Sequence, residues 1–277
     1  MLVLAALVFV AVTCVVIGDV AGSLLTRAGV PPVQVAWARF ALAAAVLLPL
    51  SGLRWAERGA FTDWRVLLRG AFIAGGIACI LTGLRTEPLA NVFGAFFIGP
   101  VVAYALAVMF LGERPSAGRT ALLGLGFAGV MLVVKPGFGA GPGLAYALAA
   151  GCCYGAYLAM TRAVAGAYRP RLLLISQLLI GTALLAPLGL AAPFPALDAP
   201  LAGLFALSAL GSAAGNYLLV VANRRAEASL IAPLVYSQLI SAVALGYAVF
   251  GDVPDLWALA GLVLITLSGL GGLALRR

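Results

Sequence analysis

The sequence predicts an all-α integral membrane protein of ten transmembrane helices, built as two inverted five-helix repeats. Three observations favour this fold class. Hydrophobic residues make up 64% of the chain and charged residues 9%, whereas soluble domains are about half apolar and about a quarter charged. Ten apolar stretches, each near the roughly 20 residues that cross a bilayer, fill most of the 277 residues. The last five stretches repeat the pattern of the first five.

Short segments that contain prolines and arginines separate the ten stretches, which we call spans 1 to 10. Residues that break helices are expected in loops, and Pro115, Pro170 and Pro193 lie in or beside the segments between spans. Little sequence remains outside the spans, so no soluble domain is expected. The spans cover residues 2–24, 33–51, 66–84, 89–111, 117–134, 143–163, 172–191, 201–222, 228–250 and 255–274.

Prolines and polar residues recur at matching positions in the two halves of the chain. A duplicated unit with an odd number of spans must insert its second copy upside down, so the repeats, at 1–138 and 139–277, are predicted to be inverted. Inverted repeats are typical of membrane transporters, in which two halves rock around one central site. The residues matched at a spacing of 138 positions are Pro32 and Pro170, Arg39 and Gln177, and Pro49 and Pro187.

The basic residues between the spans predict the orientation of the chain. Of the 17 lysines and arginines, 13 fall on the side of the N-terminus, Arg69 among them, 3 fall on the opposite side, and Arg39 lies within span 2. Short cytoplasmic loops carry an excess of these residues, so both termini are predicted to be cytoplasmic. The composition is rich in alanine, glycine and arginine, which suggests a multi-pass protein of a bacterial inner (plasma) membrane.

Several functions are excluded or disfavoured by the residues that the sequence lacks. The chain has no histidine, which removes serine–histidine catalysis and most zinc sites. An intramembrane aspartyl protease needs two membrane aspartates, and Asp19 alone lies well within a span. We therefore expect no enzyme, cofactor or metal. The net charge is +8, but the basic residues form no single patch, so no nucleic-acid partner is expected.

Polar side chains within the spans indicate which helix faces avoid lipid. Such side chains are expected to face the bundle interior or a water-filled cavity. Asp19 and Arg39 lie at similar depths in spans 1 and 2, which predicts a salt bridge. That pair either fixes the two helices or binds a charged substrate group, and Asp19 is also a candidate proton carrier. In span 8, Ser212 and Asn216 belong to a polar stripe that lines a cavity or hydrogen-bonds neighbouring helices.

Aromatic and polar residues share helix faces in spans 4, 6 and 9. An aromatic face is more often packing than a ligand site. Spans 4 and 9 correspond to each other in the two repeats, however, which favours a cavity that is mostly apolar with a few hydrogen-bonding groups. The candidate substrate-binding residues are Asp19, Arg39, Phe93, Phe97, Tyr104, Tyr154, Tyr157, Asn216, Tyr236, Ser237 and Ser241.

Three stretches carry a family resemblance that covers essentially the whole chain. Span 2 contains Trp37-Ala38-Arg39-Phe40, and the run from Leu89 to Gly129 includes Gly112-Glu113-Arg114-Pro115 and matches a later run at 228–269. In these features the chain resembles the drug/metabolite transporter superfamily, and within it the EamA-type ten-helix transporters. The resemblance implies two inverted halves, a cavity lined by spans 1–4 and 6–9, and spans 5 and 10 outside that cavity.

These observations favour a secondary transporter that moves a small organic metabolite across the cytoplasmic membrane by alternating access. An amino acid, an aromatic compound, a vitamin or a drug-like solute suits a cavity of tyrosine, serine and asparagine. The sequence lacks the Gly-Lys-Ser/Thr pattern of an ATP-binding loop, so a gradient must supply the energy. A channel or a non-transporting membrane subunit is the alternative. The expected partners are the small-molecule substrate and the lipid bilayer, and small residues in spans 5 and 10 leave a homodimer open.

Overall fold

Within the part of the chain that the computed structural model describes, every regular element is a helix. The described residues are 2–86, 89–134, 142–251, 253 and 256–274. The predicted boundary between the repeats, at residues 138 and 139, lies outside them. The α-helices are α1 (Leu2–Arg27), α2 (Pro32–Leu47), α3 (Trp64–Thr86), α4 (Leu89–Phe96), α5 (Gly99–Phe110), α6 (Ala117–Val134), α7 (Pro142–Val164), α8 (Pro170–Gly189), α9 (Ala199–Arg225), α10 (Ala228–Val235), α11 (Gln238–Phe250) and α12 (Leu256–Ala274), with a short 3-10 helix at Trp55–Phe61.

Six helical segments in the described ranges are long and apolar enough to cross a membrane, and four shorter helical segments are also apolar. All ten predicted spans fall on these helices, spans 4 and 9 on two helices each. The all-α prediction is therefore confirmed for the described residues. That all ten spans cross the membrane, and that the second repeat is inverted, stays a prediction.

Local sequence signals explain where the two longest helices begin and end. α1 continues to Arg27, three residues beyond the predicted end of span 1. It ends shortly before Gly29, whose φ of 94° lies in the left-handed region that favours glycine. α9 begins two residues before the predicted start of span 8, because the Asp198 side chain accepts a hydrogen bond from the Leu201 N–H at 2.8 Å and caps the helix.

Spans 4 and 9 are each broken near the middle. In span 4, α4 ends at Phe96, α5 begins at Gly99, and Pro100 follows directly. Pro100 has no N–H to donate to the Phe96 carbonyl, so the proline favours a break at this point. In span 9 the break falls at Tyr236 and Ser237, where successive N–H groups donate to carbonyls three residues earlier, as in a 3-10 helix.

The most extensive helix–helix contacts join a helix of the first half of the chain to a helix of the second half. The most extensive contacts join α1 to α9 and α3 to α7. These helices are spans 1 and 8 and spans 3 and 6. Span 1 corresponds to span 6 in the two predicted repeats, and span 3 to span 8, so the two contacts are equivalent. α2 packs on α8, and α6 on α12, so spans 2 and 5 each pack on their own counterpart. This pattern places α6 and α12 together at one side of the bundle.

Glycines on α7 allow that helix to pack directly on the break in span 4. A Cβ added at Gly151 would lie 2.5 Å from the Phe96 carbonyl oxygen, and a Cβ at Gly155 would overlap the Gly99 carbonyl. Any larger residue at these positions must therefore push α7 away from the break. The contact fixes the height at which α7 side chains meet α4.

The Gly155→Ala variant is expected to lose about 1–3 kcal/mol of stability, because overpacking forces the backbone of two helices apart. The matched control is Gly203→Ala, since Gly203 is also helical and a Cβ there would meet nothing within 4 Å. That control is expected to melt at or slightly above the temperature of the wild type, because alanine favours helices over glycine. The check is the melting temperature of both purified variants in detergent; a Gly155→Ala variant as stable as the control would contradict the close packing.

Ion pairs join the connections at one end of the bundle, which we call the arginine-rich face. It consists of the α2–α3, α5–α6, α7–α8 and α9–α10 connections. Arg169 donates to both carboxylate oxygens of Glu57, at 2.5 and 2.6 Å, and these bonds hold the pKa of Glu57 below its ordinary value. Glu113 Oε1 accepts from the Ala228 N–H at 3.0 Å and lies 3.6 Å from Arg162 Nε. Both groups join the two halves of the chain.

Arg69 does not belong to this face, although the orientation count places it there. It lies on α3 and is fully buried. Arg69 is therefore a third charge within the bundle, in addition to Asp19 and Arg39. Arg69 lies within predicted span 3, near its start, and the packing of α3 on α7 and α8 buries its side chain. Without Arg69 the N-terminal side still holds 12 of the 17 basic residues, and the predicted orientation is unchanged.

Candidate functional site

A small cavity lies between α1, α2, α3, α4, α7 and α9. Its volume is about 30 Å³, room for one or two water molecules. None of its lining residues comes from the described parts of α6 or α12, as the family resemblance implies for spans 5 and 10. We call it the central cavity, and it is lined by Val15, Asp19, Arg39, Ile73, Gly76, Ile77, Ile80, Phe96, Tyr154, Ser212 and Asn216.

The predicted salt bridge between Asp19 and Arg39 is confirmed and borders this cavity. Arg39 Nη1 donates to Asp19 Oδ1 at 2.8 Å, and both residues are buried. The guanidinium also donates from Nη2 to the Gly18 carbonyl at 2.7 Å and from Nε to Ser208 Oγ at 3.1 Å. These bonds tie α1, α2 and α9 together. Asp19 thus balances the charge of the buried Arg39 guanidinium.

Two polar atoms in the wall of the cavity lack partners. The Tyr154 hydroxyl and Asn216 Oδ1 are buried and have no hydrogen-bond partner among the described residues. Asn216 is held in place from its other end, since its Nδ2 donates to the Ser212 carbonyl at 2.8 Å. Buried polar groups are nearly always paired. One hydroxyl and one amide oxygen in residues of the cavity wall are therefore left without a hydrogen bond among the described residues.

Aromatic rings extend from the cavity in both directions along the bundle. The Phe96 ring lies 5.1 Å from that of Tyr154, and the Tyr154 ring stacks on that of Tyr157 at 6.1 Å. On the other side Phe93 contacts Phe96 at 6.5 Å and Phe97 at 6.0 Å. Such a row offers planar surfaces for an aromatic solute.

A second, smaller cavity lies toward the face opposite the arginine-rich face. Its volume is about 10 Å³, and its lining includes Ser23, Phe93 and Phe250. Asp19 lines both this cavity and the central one. The carboxylate therefore lies between the two, on the path that a solute would take toward that face.

An open cleft of about 780 Å³ lies on the arginine-rich face. Charged side chains border it, and Arg119 Nη1 donates to Glu227 Oε2 across it at 2.5 Å. We place the candidate site in the central cavity instead, because two residues of its wall have buried polar atoms without a partner among the described residues, whereas two ion pairs, Arg119–Glu227 and Arg162–Glu113, lie in the cleft.

The structure brings four of the predicted site residues together at the central cavity and Phe93 beside them. Tyr157 and Phe97 lie one ring further away, and Ser237 donates to the Leu234 carbonyl within the break of span 9. The remaining three candidates face other helices. Tyr104 shares a hydrogen bond of 2.7 Å with Thr120 on α6, Ser241 shares one of 2.6 Å with Thr13 on α1, and the Tyr236 ring lies against Gly126 on α6.

Phe96 and Ser212 line the cavity but were not among the predicted site residues. Ser212 belongs to the polar stripe of span 8, so its spacing was a sufficient signal. At about 100° per residue, Phe96 would lie about 60° from Phe93 and about 80° from Tyr104 on a straight helix, at the edge of the predicted aromatic face. Phe96 is the last residue of α4, directly before the break in span 4.

The sequence profile of one transporter family matches both halves of the chain. The profile of the EamA-like transporter family matches residues 2–135 and again residues 141–271. The chain belongs to the EamA-like transporter family. The resemblance seen in the sequence is thereby confirmed, and the apolar helices and the family together make this EamA-like protein a multi-pass membrane protein that transports small molecules.

Two individual proteins are similar to this EamA-like transporter. A riboflavin transporter of Rhizobium johnstonii is 29% identical over 204 residues, which cover 73% of this chain and 68% of that protein. A solved crystal structure superposes with a TM-score of 0.78 over 98% of both chains at 18% sequence identity. At that identity the likeness shows the fold alone.

Proposed function

We propose that this protein is a secondary carrier that moves a small aromatic metabolite across a bacterial inner membrane by alternating access. In this proposal the repeats at 1–138 and 139–277 are inverted, ten spans cross the membrane, and both termini and the arginine-rich face are cytoplasmic. Span 1 packs on span 8 and span 3 packs on span 6, so corresponding spans have corresponding partners. This pattern supports the inverted arrangement. The excess of basic residues on one side supports the orientation.

One observation carries the proposal: Tyr154 and Asn216, whose hydroxyl and Oδ1 are buried without a partner among the described residues, line the central cavity together with Phe96. Ligand pockets are usually apolar and aromatic, with a few polar groups that orient the ligand. Here Phe96 supplies an aromatic ring, Tyr154 a hydroxyl and Asn216 an amide oxygen to the wall of one cavity. A planar solute with an N–H or O–H donor at its edge satisfies both polar atoms.

The size of the cavity supports alternating access over a permanent channel. A metabolite needs a pocket of about 300 Å³ or more, whereas the central cavity has about 30 Å³. The helices around it must therefore separate before a solute enters. A carrier alternates between such openings, and the cavity seen here corresponds to the closed state between them.

Riboflavin is the first solute to test, because a riboflavin transporter is among the similar proteins. Its planar ring system carries donors and acceptors at the edge, as the cavity requires. Free aromatic amino acids and smaller heteroaromatic compounds share part of that chemistry. A neutral sugar shares the hydroxyl groups without the ring and is the matched comparison.

The test is thermal stabilisation of the purified protein by these solutes, followed by uptake of each into proteoliposomes. We expect aromatic solutes to raise the melting temperature and to be taken up saturably, above the level of protein-free liposomes. We expect the sugar to do neither. Uptake of the sugar in preference to every aromatic solute, or the absence of saturable uptake of any of them, would contradict the proposal.

A further inference from the structure

Arg69 is the centre of a second buried polar cluster, which the central cavity does not include. Its Nη2 donates to the Tyr157 hydroxyl at 3.1 Å, and the Tyr157 hydroxyl donates to Gln177 Oε1 at 3.1 Å. Its Nε donates to Thr161 Oγ1 at 2.8 Å. We call these four residues the Arg69 cluster, and it ties α3, α7 and α8 together.

The Arg69 cluster corresponds, residue by residue, to the Asp19 cluster of Asp19, Arg39 and Ser208. Both are built from three helices that correspond in the two repeats: spans 1, 2 and 8 in one, and spans 6, 7 and 3 in the other. The hydrogen-bonded pairs also match, since each joins residues 20 positions apart. The corresponding residues are Asp19 and Tyr157, and Arg39 and Gln177, at a spacing of 138, and Arg69 and Ser208, at a spacing of 139.

The two arginines also make equivalent hydrogen bonds, although they lie on non-equivalent helices. In each cluster Nε donates to a side-chain hydroxyl and a terminal nitrogen donates to a backbone carbonyl. The hydroxyl and carbonyl partners are Ser208 and Gly18 for Arg39, at 3.1 and 2.7 Å, and Thr161 and Leu173 for Arg69, at 2.8 and 2.8 Å.

The clusters lie in opposite halves of the membrane in the proposed orientation. Asp19 is eight residues from the end of α1 that faces away from the arginine-rich face, or about 12 Å along the helix. Tyr157 is seven residues from the end of α7 at the arginine-rich face, or about 10 Å along the helix. The central cavity, with Tyr154 and Asp19 in its wall, separates them.

We propose that the two clusters are the closures of the carrier, one on each side of the central cavity. This inference rests on the proposed function, because it assigns the two closures that alternating access requires. The Asp19 cluster holds α1, α2 and α9 together on the outer side. The Arg69 cluster holds α3, α7 and α8 together on the cytoplasmic side. Both are formed in this structure, and opening to either side breaks the cluster on that side.

The clusters differ in charge, and this difference gives them different strengths. Asp19 balances the charge of Arg39. The hydrogen-bond partners of Arg69 within the described ranges are neutral oxygens. A buried ion pair breaks at greater cost than neutral hydrogen bonds to one charge. A carboxylate in place of the Gln177 amide would add a negative charge to the Arg69 cluster, as Asp19 does in the Asp19 cluster.

The test uses two matched variants that each remove the hydroxyl partner of one Nε: Ser208→Ala and Thr161→Val. The reporter is Ser212→Cys in the central cavity, in a chain whose Cys14, Cys79, Cys152 and Cys153 are replaced by alanine. Right-side-out and inside-out vesicles are labelled with a membrane-impermeant maleimide. The control is Thr182→Val, because the Thr182 hydroxyl bonds only to the Leu178 carbonyl of its own helix among the described residues.

Loss of a hydrogen bond to a charged group is expected to shift the balance of two states by about tenfold to a hundredfold. Ser208→Ala is therefore expected to raise labelling from the outside by about that factor, and Thr161→Val from the cytoplasmic side. Thr182→Val is expected to change neither. Equal changes from both sides, or no change in either variant, would overturn the inference.

Gln177→Glu keeps the inference testable if a hydroxyl variant does not fold. The new carboxylate is expected to strengthen the cytoplasmic closure, so labelling falls from the cytoplasmic side and rises from the outside. The opposite shift, or none, would overturn the inference. Solute uptake is measured in the same proteins. Uptake without a side-specific shift would refute the closures alone, whereas a shift without uptake of any solute would refute the carrier and keep the closures as structural switches.

Discussion

The Asp19→Asn variant is expected to lose about 3–5 kcal/mol of stability and most of its transport, because Arg39 is then buried without a counter-charge. Arginine keeps its proton in proteins, so the variant has no means of becoming neutral. Arg39→Gln is expected to lose less stability, since Asp19 can take up a proton when its partner is absent. Melting temperatures of the purified variants and uptake into proteoliposomes measure both effects.

The double variant Asp19→Asn/Arg39→Gln is the control for charge. It replaces the ion pair by two neutral side chains, as in the Tyr157–Gln177 pair of the second half. We expect its stability to return to within about 1 kcal/mol of the wild type, because no lone charge remains. A folded Asp19→Asn variant with the melting temperature, uptake and pH dependence of the wild type would contradict the pairing and exclude a proton role for Asp19.

The Tyr154→Phe variant is expected to reduce solute uptake about tenfold at low solute concentration while keeping the stability of the wild type. The hydroxyl has no partner among the described residues, so its removal takes no hydrogen bond from the fold. An unpaired buried hydroxyl is unfavourable, and we therefore expect the melting temperature to stay the same or to rise. The lost uptake reflects the hydrogen bond that the hydroxyl gives to the solute.

The control for Tyr154 is Tyr168→Phe, which removes a hydroxyl outside the bundle interior. Tyr168 donates to Asp63 Oδ2 at 2.9 Å in the connections of the arginine-rich face. This variant is expected to lose a little stability and to keep the KM of the wild type. If Tyr154→Phe lowers the melting temperature and leaves uptake unchanged, the hydroxyl has a structural partner and the central cavity is not the solute site.

The sequence predicted the helices and the charged part of the site because both depend on the cost of polar groups in lipid. A run of about 20 apolar residues defines a span wherever it occurs. Asp19 and Arg39 were paired because two charges at one depth must neutralise each other or face water. Asn216 was found in the same way, from the polar stripe on a helix that has no break.

The aromatic part of the site was less predictable, because spans 4 and 9 are broken. Helical spacing assumes a straight helix, and it placed Phe93, Phe97 and Tyr104 on one face. In the structure Tyr104, after the break, hydrogen-bonds Thr120 on α6, and Phe96, before the break, lines the cavity. Pro100 indicates that span 4 can break, but a proline in the sequence does not determine the angle between the helices on either side of the break.

Arg69 shows a different limit of the sequence. Counting basic residues assigns each one to a side of the membrane. The count does not detect that a long side chain near a helix end can be buried within the bundle. The partners that make this burial possible, Thr161, Tyr157 and the Leu173 carbonyl, come from two helices that lie about 90 or more positions later in the chain. Only the packing of α3 on α7 and α8 brings them together.

Counterflow in proteoliposomes tests the central claim, that the protein is a carrier with one site open to one side at a time. The vesicles are loaded with unlabelled riboflavin, or with the solute that stabilises the protein best, and labelled solute is added outside. A carrier is expected to accumulate label transiently above its equilibrium level, and Tyr154→Phe is expected to weaken this. Label that only approaches equilibrium, at a rate unaffected by the internal solute, would contradict the carrier and favour a channel.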